Sequence, residues 1–165
     1  RGTEMDKIVP CLWFNGCAEE AVAFYTSVFR DARTGLVTHF GKSGAEASGQ
    51  PEGSVLTIDF QLEGQDFQAL NGGPQFQFSP AISLVVNCQT QREIDELWER
   101  LSEGGEKGEC GWLTDRFGVT WQIVPAVIAD MMQDPDAERV ERMMVALLQM
   151  GKLDIEALKR AFEGG

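Results

Sequence analysis

The sequence contains one histidine, His39, among 165 residues, and only 14 lysines and arginines against 26 aspartates and glutamates. A single histidine does not supply the two or three imidazoles of a common zinc or iron site. It also leaves His39 as the only imidazole for a Ser-His-Asp triad. The formal net charge of -12 argues against a nucleic acid partner, because phosphate binding depends on clustered lysine and arginine.

Motifs for disulfides, membrane spans and export are also lacking. The four cysteines form no CxxC pair, and their spacing favours reduced thiols over a disulfide framework. No apolar run approaches the roughly 18 residues of a membrane span. The first residues lack the apolar stretch of a secretory leader. We therefore expect a cytoplasmic protein that binds neither nucleic acid nor membrane.

Apolar periodicity predicts the order βαβββ in the first half of the chain. The predicted elements are a strand at 8–14, a helix at 18–30, and strands at 34–40, 54–62 and 65–70. Glu63-Gly64 is typical of a hairpin turn between the last two strands. The polar, glycine-rich stretch 41–53 is expected to be a mobile loop.

The second half is predicted as βαββ, and a helical tail follows it. The predicted elements are a buried strand at 81–87, a helix around 94–101, and strands at 106–113 and 119–124, the first of these short or irregular. In the tail, Asp134-Pro135 predicts a helix start, and Asp154 caps a last helix in which Leu153 and Leu158 form a hydrophobic staple. The longer tail helix has an apolar stripe that must be buried, and packing on a partner subunit would bury it: Val140, Met143, Met144 and Leu147.

The two halves are related by an internal repeat. A shift of 72 residues aligns 12–15 with 84–87, and a shift of 54 aligns Gln68 with Gln122 near the end of each half. We therefore predict an α+β fold of two paired βαβββ modules, 6–72 and 79–126, that form a cupped mixed sheet around a cavity. Residues 127–165 are predicted as a C-terminal helical extension.

Two motifs carry a resemblance to a known family. They are FNGCAEEA with Phe24-Tyr25 at 14–25, and DRFGV with WQIVP at 115–125. The chain resembles the PhnB-like branch, labelled 3-demethylubiquinone-9 3-methyltransferase, of the vicinal oxygen chelate superfamily, which includes glyoxalase I, bleomycin-resistance proteins and extradiol dioxygenases. The resemblance covers about residues 6–126 and implies a homodimer.

The resemblance also implies four metal-ligand positions, on the first and last strands of each module. In this sequence the first strands contain no histidine, aspartate or glutamate, and Gln68 and Gln122 stand where the glutamates are expected. An amide oxygen is a neutral, weak ligand for a divalent cation. We therefore predict no metal and no cofactor, which argues against glyoxalase or dioxygenase chemistry.

Five residues are candidates for a ligand site, and each also has a structural interpretation. Gln68 and Gln122 either bind a ligand in the cavity or satisfy buried polar groups. Trp13 and Trp112 either form its apolar walls or fill the core. Arg116 either binds an anionic ligand or stabilises its own turn.

The predicted function is that of a PhnB-like small-molecule-binding protein that lacks the usual metal ligands. The alternative is a superfamily enzyme of unknown reaction, and a third hypothesis is an interaction module whose acidic tail is the contact surface. Methyl transfer is not favoured, because no glycine-rich loop follows a strand and opens a helix.

Overall fold

The computed structural model describes residues 5–165 and has the predicted α+β class, with two βαβββ modules and C-terminal helices. The described residues divide into two compact units, one that ends at Phe78 and one that begins at Ser79. The C-terminal helices belong to the second unit. Within residues 5–165, no helix combines the length and the apolar character needed to cross a membrane.

The first unit is built on a four-stranded mixed sheet. Its elements are β1 (Cys11–Phe14), α1 (Ala18–Val28), β2 (Ala32–His39), α2 (Lys42–Ser48), β3 (Val55–Leu62) and β4 (Gln65–Asn71). The strand order is β1-β4-β3-β2, with β1 parallel to β4 and the other pairs antiparallel.

Helix α1 packs its apolar side on one face of this sheet. The ring of Tyr25, which is fully buried, stacks on Phe60 of β3 with centroids 6.2 Å apart. The sheet also caps the helix: Asn71 Oδ1 accepts a hydrogen bond from the Ala18 N–H (2.9 Å), and Asn71 Nδ2 donates to Glu19 Oε1 (2.7 Å). Asn71 therefore fixes the start of α1 from the end of β4.

The segment between β2 and β3 differs from its prediction. The expectation of a loop over 41–53 is wrong for Lys42–Ser48, which form α2. Alanine and glutamate favour the helix there, and Gly49 ends it in the left-handed conformation with φ +79°. The Glu63-Gly64 turn is confirmed, with positive φ angles of 49° and 86° at its two residues.

The second unit has a sheet of the same kind. Its elements are β5 (Ser83–Cys88), α3 (Gln91–Ser102), β6 (Glu106–Lys107), β7 (Trp112–Thr114) and β8 (Thr120–Pro125). The order β5-β8-β7-β6 repeats that of the first unit. The prediction of a buried first strand is wrong, since β5 is an edge strand and Val85 is 52% exposed.

The shared strand order confirms the internal repeat, and strand pairing fixes its register. Cys11 lies opposite Gln68, and Val85 lies opposite Gln122, so the two glutamines are equivalent at the predicted offset of 54. The same pairs superpose the first strands at an offset of 74, from Cys11 to Val85, rather than 72. Hydrophobic alternation does not distinguish these shifts, because side chains in a strand repeat every two residues.

Three helices follow β8, namely α4 (Val127–Met132), α5 (Ala137–Leu148) and α6 (Ile155–Glu163). They enclose a buried apolar cluster that the half-buried Val124 of β8 also contacts, and its members are Met131, Met143, Leu153 and Leu158. The four stripe residues of α5 are thus buried or half-buried within this chain, while Val145 and Leu148, which lie outside the stripe, remain 53% and 56% exposed.

The caps of the last two helices are partly as predicted. Helix α5 is capped by Asp136, which accepts a hydrogen bond from the Glu138 N–H (3.0 Å), and not by Asp134. Asp134 instead accepts from the Asp136 N–H (2.8 Å), which makes the turn before the cap. The Asp154 cap of α6 is confirmed, because its carboxylate accepts from the Ala157 N–H at 3.0 Å.

The tail also pairs with the sheet of the second unit. The N–H groups of Cys110 and Gly111 donate to the carbonyls of Met150 and Gly151, both at 2.8 Å. Here the strand predicted at 106–113 is interrupted and becomes β6 and β7. The break makes the tail part of the second unit's hydrogen-bonding pattern.

Candidate functional site

The face of the first sheet opposite α1 carries Gln68. Side chains alternate along β4, so Phe67 and Ala69 are buried and Gln68 is half-buried on the other face. Gln68 Nε2 donates to Asp59 Oδ1 on β3 at 3.3 Å. Cys11 of the edge strand β1 lies directly opposite Gln68. This face, which we call the open face of the first sheet, therefore presents an amide–carboxylate pair.

Trp13 lies on the same open face, two residues beyond Cys11. Its indole Nε1 donates to the Gly73 carbonyl (2.9 Å), and the Phe76 ring packs edge-on with centroids 4.8 Å apart. A Cβ at Gly72 would overlap the indole, so only glycine permits this packing. Trp13 thus holds the segment after β4 against the sheet, and Phe76, 65% exposed, enlarges the aromatic surface.

The corresponding open face of the second sheet carries Gln122. Its Nε2 donates to the hydroxyl of Ser83 on β5 at 2.9 Å. Trp112 of β7 is directly opposite Gln122 on one side, and the exposed Val85 of β5 is opposite it on the other. A half-buried amide therefore lies between an indole and an aliphatic side chain.

The turn between β7 and β8 is organised by Asp115 more than by Arg116. The Asp115 side chain, 2% exposed, accepts hydrogen bonds from the N–H groups of Phe117 (2.8 Å) and Val119 (3.0 Å) and from Trp121 Nε1 (2.9 Å). The Arg116 guanidinium carbon lies 4.8 Å from the centroid of the Phe117 ring. These contacts stabilise the turn formed by the DRFGVTW segment at 115–121.

One protein family matches most of the chain. The sequence profile described as 3-demethylubiquinone-9 3-methyltransferase matches residues 6–124. The chain belongs to this family. It is the PhnB-like branch of the vicinal oxygen chelate superfamily, as the resemblance implied. The matched region ends before α4 and so leaves the three C-terminal helices outside it.

Solved structures agree with this assignment. A PhnB protein from Bacillus cereus is 34% identical, with a TM-score of 0.65 over 73% of this chain and 100% of that one. Protein PA1353 from Pseudomonas aeruginosa (24% identity, TM-score 0.59, 73% and 97% covered) and the fosfomycin resistance protein FosX from Listeria monocytogenes (15%, 0.53, 81% and 100%) share the fold. Among curated proteins the comparison finds no match.

Metal-dependent members of the superfamily hold an ion at these strand positions, and the residues present in this chain do not fit a conventional metal site. Gln68 and Gln122 are neutral amides whose nitrogens bond to Asp59 and Ser83. Burial raises the pKa of the Cys11 thiol, which disfavours the thiolate that a metal requires. Among residues 5–165, no three His, Cys, Asp or Glu side chains lie close enough together to hold a metal ion.

The other residues that could act as a general base or a nucleophile are His39 and the cysteines. His39 ends β2 and is exposed. Burial, with Glu20 next in importance, raises the pKa of Cys17, so the dipole of α1 does not activate it. Burial and Glu93 raise the pKa of Cys88 to about 12. All four cysteines are free thiols. The raised pKa values of Cys11, Cys17 and Cys88 disfavour these three as nucleophiles.

The five predicted site residues fall into separate groups. Trp13 and Gln68 share the open face of the first sheet, Trp112 and Gln122 share that of the second, and Arg116 lies in a turn past the end of β7. Sequence reasoning missed the hydrogen-bonding partners Asp59 and Ser83, together with Phe76 and the structural role of Asp115 within the DRFGV motif. The Glu63-Gly64 hairpin offered a signal for Asp59, because a two-residue turn at 63–64 pairs Asp59 with Gln68.

Proposed function

We propose that this protein binds a small organic molecule without a resident metal ion. The observation that carries the proposal is the Gln122 amide, half-buried between Trp112 and Val85, with its nitrogen bonded to Ser83. Within the described residues, no protein group donates a hydrogen bond to Oε1 of the Gln122 side chain. A ligand with an N–H or O–H group beside an apolar or aromatic body complements such a surface.

The first unit supports the same proposal. Gln68 also has its nitrogen engaged, by Asp59, and it also lies on a face with an aromatic pair, Trp13 and Phe76. Two equivalent positions with the same amide chemistry favour ligand binding over a chance substitution. We assign Arg116 a secondary role in this proposal, as a cation available to a ligand that carries an anionic group.

We also propose a domain organisation and an oligomeric state. Residues 6–126 form the ligand-binding domain, with modules at 6–72 and 79–126, and 127–165 form an extension. We also propose that the protein is a cytoplasmic homodimer. Light scattering after gel filtration tests its dimeric state. Methyl transfer is not included, because the two sheets have the order 1-4-3-2, while a doubly wound methyltransferase presents its cofactor from a parallel sheet.

The test is a fragment screen by protein-observed NMR, with Gln122→Leu and Gln68→Leu as variants. Gln65→Leu is the matched control, since Gln65 is exposed on β4 and also donates one amide hydrogen bond, to the Asp66 carbonyl. We expect amine- or hydroxyl-bearing aromatic fragments to shift amides around residues 112 and 122 or 13 and 68. Their affinity should fall roughly three- to tenfold in the matching leucine variant. Fragments that bind elsewhere, or equally to all variants, would contradict the proposal.

A further inference from the structure

A groove lies between helices α4 and α6, outside the region that the family profile matches. Its volume is about 380 Å³, which is within the range of small-molecule sites. Each helix contributes one face at i, i+3 and i+4 spacing, and Asp134 completes the lining: Val127, Asp130 and Met131 from α4, and Lys159, Phe162 and Glu163 from α6.

The groove has an apolar floor and a charged rim. Met131 is 5% exposed, and Val127 and Phe162 are half-buried, so these three side chains form the floor. The rim carries the exposed groups of Asp130, Glu163 and Lys159. An occupant with a hydrophobic body and one polar end matches this division.

The charges around the groove favour a cation. Asp134 is paired with Arg139 at 3.5 Å. That pairing leaves the carboxylates of Asp130 and Glu163 against the single ammonium of Lys159, an excess of one negative charge on the rim.

The aromatic ring in the floor already holds a cation. The Arg139 guanidinium carbon lies 4.2 Å from the centroid of the Phe162 ring, a cation–π contact. Arg142 donates to the carbonyls of Ala161 (3.1 Å) and Phe162 (2.9 Å), which fixes the end of α6. Helix α5 therefore holds the α6 wall of the groove in place.

We propose that this groove binds a small organic monocation with an apolar body, such as an arylalkyl ammonium. The proposal is independent of the Gln68 and Gln122 faces. The carboxylates of Asp130 and Glu163 receive the ammonium group, and Met131 and Phe162 contact the apolar body.

The test uses the full chain and three probes of one shape: 3-phenylpropylammonium, the neutral 3-phenylpropanol and the anionic 3-phenylpropanoate. Amide shifts are followed by NMR at low and high salt. We expect saturable shifts at residues 127–134 and 159–163, with the ammonium strongest and the carboxylate weakest, and weaker ammonium binding at high salt. Asp130→Asn and Glu163→Gln should each weaken ammonium binding roughly two- to fivefold. Glu141→Gln, an exposed carboxylate of α5 outside the groove, should not.

Three outcomes would overturn the proposal. The first is equal binding of the three probes, or none. The second is a shift map centred on Gln122 or Gln68, which would leave the proposed function standing. The third is a concentration-dependent shift of the groove residues without any probe, which would make a second copy of the chain the occupant.

Discussion

Replacing Asp115 by alanine removes a buried carboxylate that holds the β7–β8 turn. Three donors lose their acceptor, the N–H groups of Phe117 and Val119 and the indole of Trp121. A hydrogen bond to a charged group contributes about 1.5–3 kcal/mol, and such contributions are not additive. Because the site is 2% exposed, water does not replace the lost acceptor, and we expect a loss of roughly 3–5 kcal/mol in the free energy of unfolding.

Asparagine at this position separates the two halves of the interaction. Its oxygen still accepts from Phe117 and Val119, but its amide nitrogen faces the Trp121 N–H, so two donors meet. We expect Asp115→Asn to cost about 1–3 kcal/mol. Since Trp121→Phe removes the opposing N–H, the double variant should be more stable than additivity predicts, by about 0.5–3 kcal/mol.

The assay is urea unfolding followed by both far-UV circular dichroism and tryptophan fluorescence, because coincident curves are needed for a two-state treatment. Glu141→Ala, at an exposed position of α5, is the control and should change stability by less than about 0.5 kcal/mol. An Asp115→Ala cost below about 1 kcal/mol, or a coupling near zero in the cycle, would refute this account of the turn.

Three further predictions follow from single contacts. Gly72→Ala should displace the Trp13 indole and cost about 1–3 kcal/mol, seen as a changed tryptophan emission in the native protein. Leu158→Ala, which truncates a fully buried side chain beside Leu153, should cost about 2–5 kcal/mol by urea unfolding. The pKa of the Cys88 thiol is raised to about 12 in the folded protein, so Cys88 should resist alkylation at pH 8 until the protein unfolds. The contribution of the neutral thiol to the free energy of unfolding should be full below about pH 9 and be lost as pH rises toward 12. Rapid native labelling of Cys88, or unchanged emission or stability in the other two variants, would contradict the respective prediction.

Much of the fold was predictable because most of its elements leave a recognisable pattern in the sequence. The repeated βαβ order, the buried helix faces around Tyr25 and Ile94, and the Glu63-Gly64 turn each have a physical signature in the sequence. The register of β5 was not predictable from hydrophobicity, since a shift of two residues preserves the alternation. Helix α2 was missed because Gly44 within it and Gly41 and Gly49 at its ends made a short run of helix formers look like a loop.

The site was predictable only in part, for a related reason. Alternation placed Gln68 and Gln122 on one face of each sheet. The Glu63-Gly64 hairpin sets the pairing of Asp59 with Gln68, so this partner was open to prediction from the sequence. Ser83 comes from β5, which pairs with β8 through tertiary structure, and no local pattern marks it. The packing of the Trp13 indole was not predictable, because Gly72 and Gly73, which fix it, lie in the segment after β4 and contact it only in the folded sheet.

Amides stand at the expected metal-ligand positions of this PhnB-like protein, which should therefore bind small molecules without a resident metal. Isothermal titration of Mn²⁺ and Zn²⁺ into chelator-treated protein tests it most directly, with the Gln68→Leu/Gln122→Leu double variant alongside. We expect no stoichiometric binding of either ion to the wild-type chain. One ion bound per chain, with an affinity that the double variant loses, would contradict it.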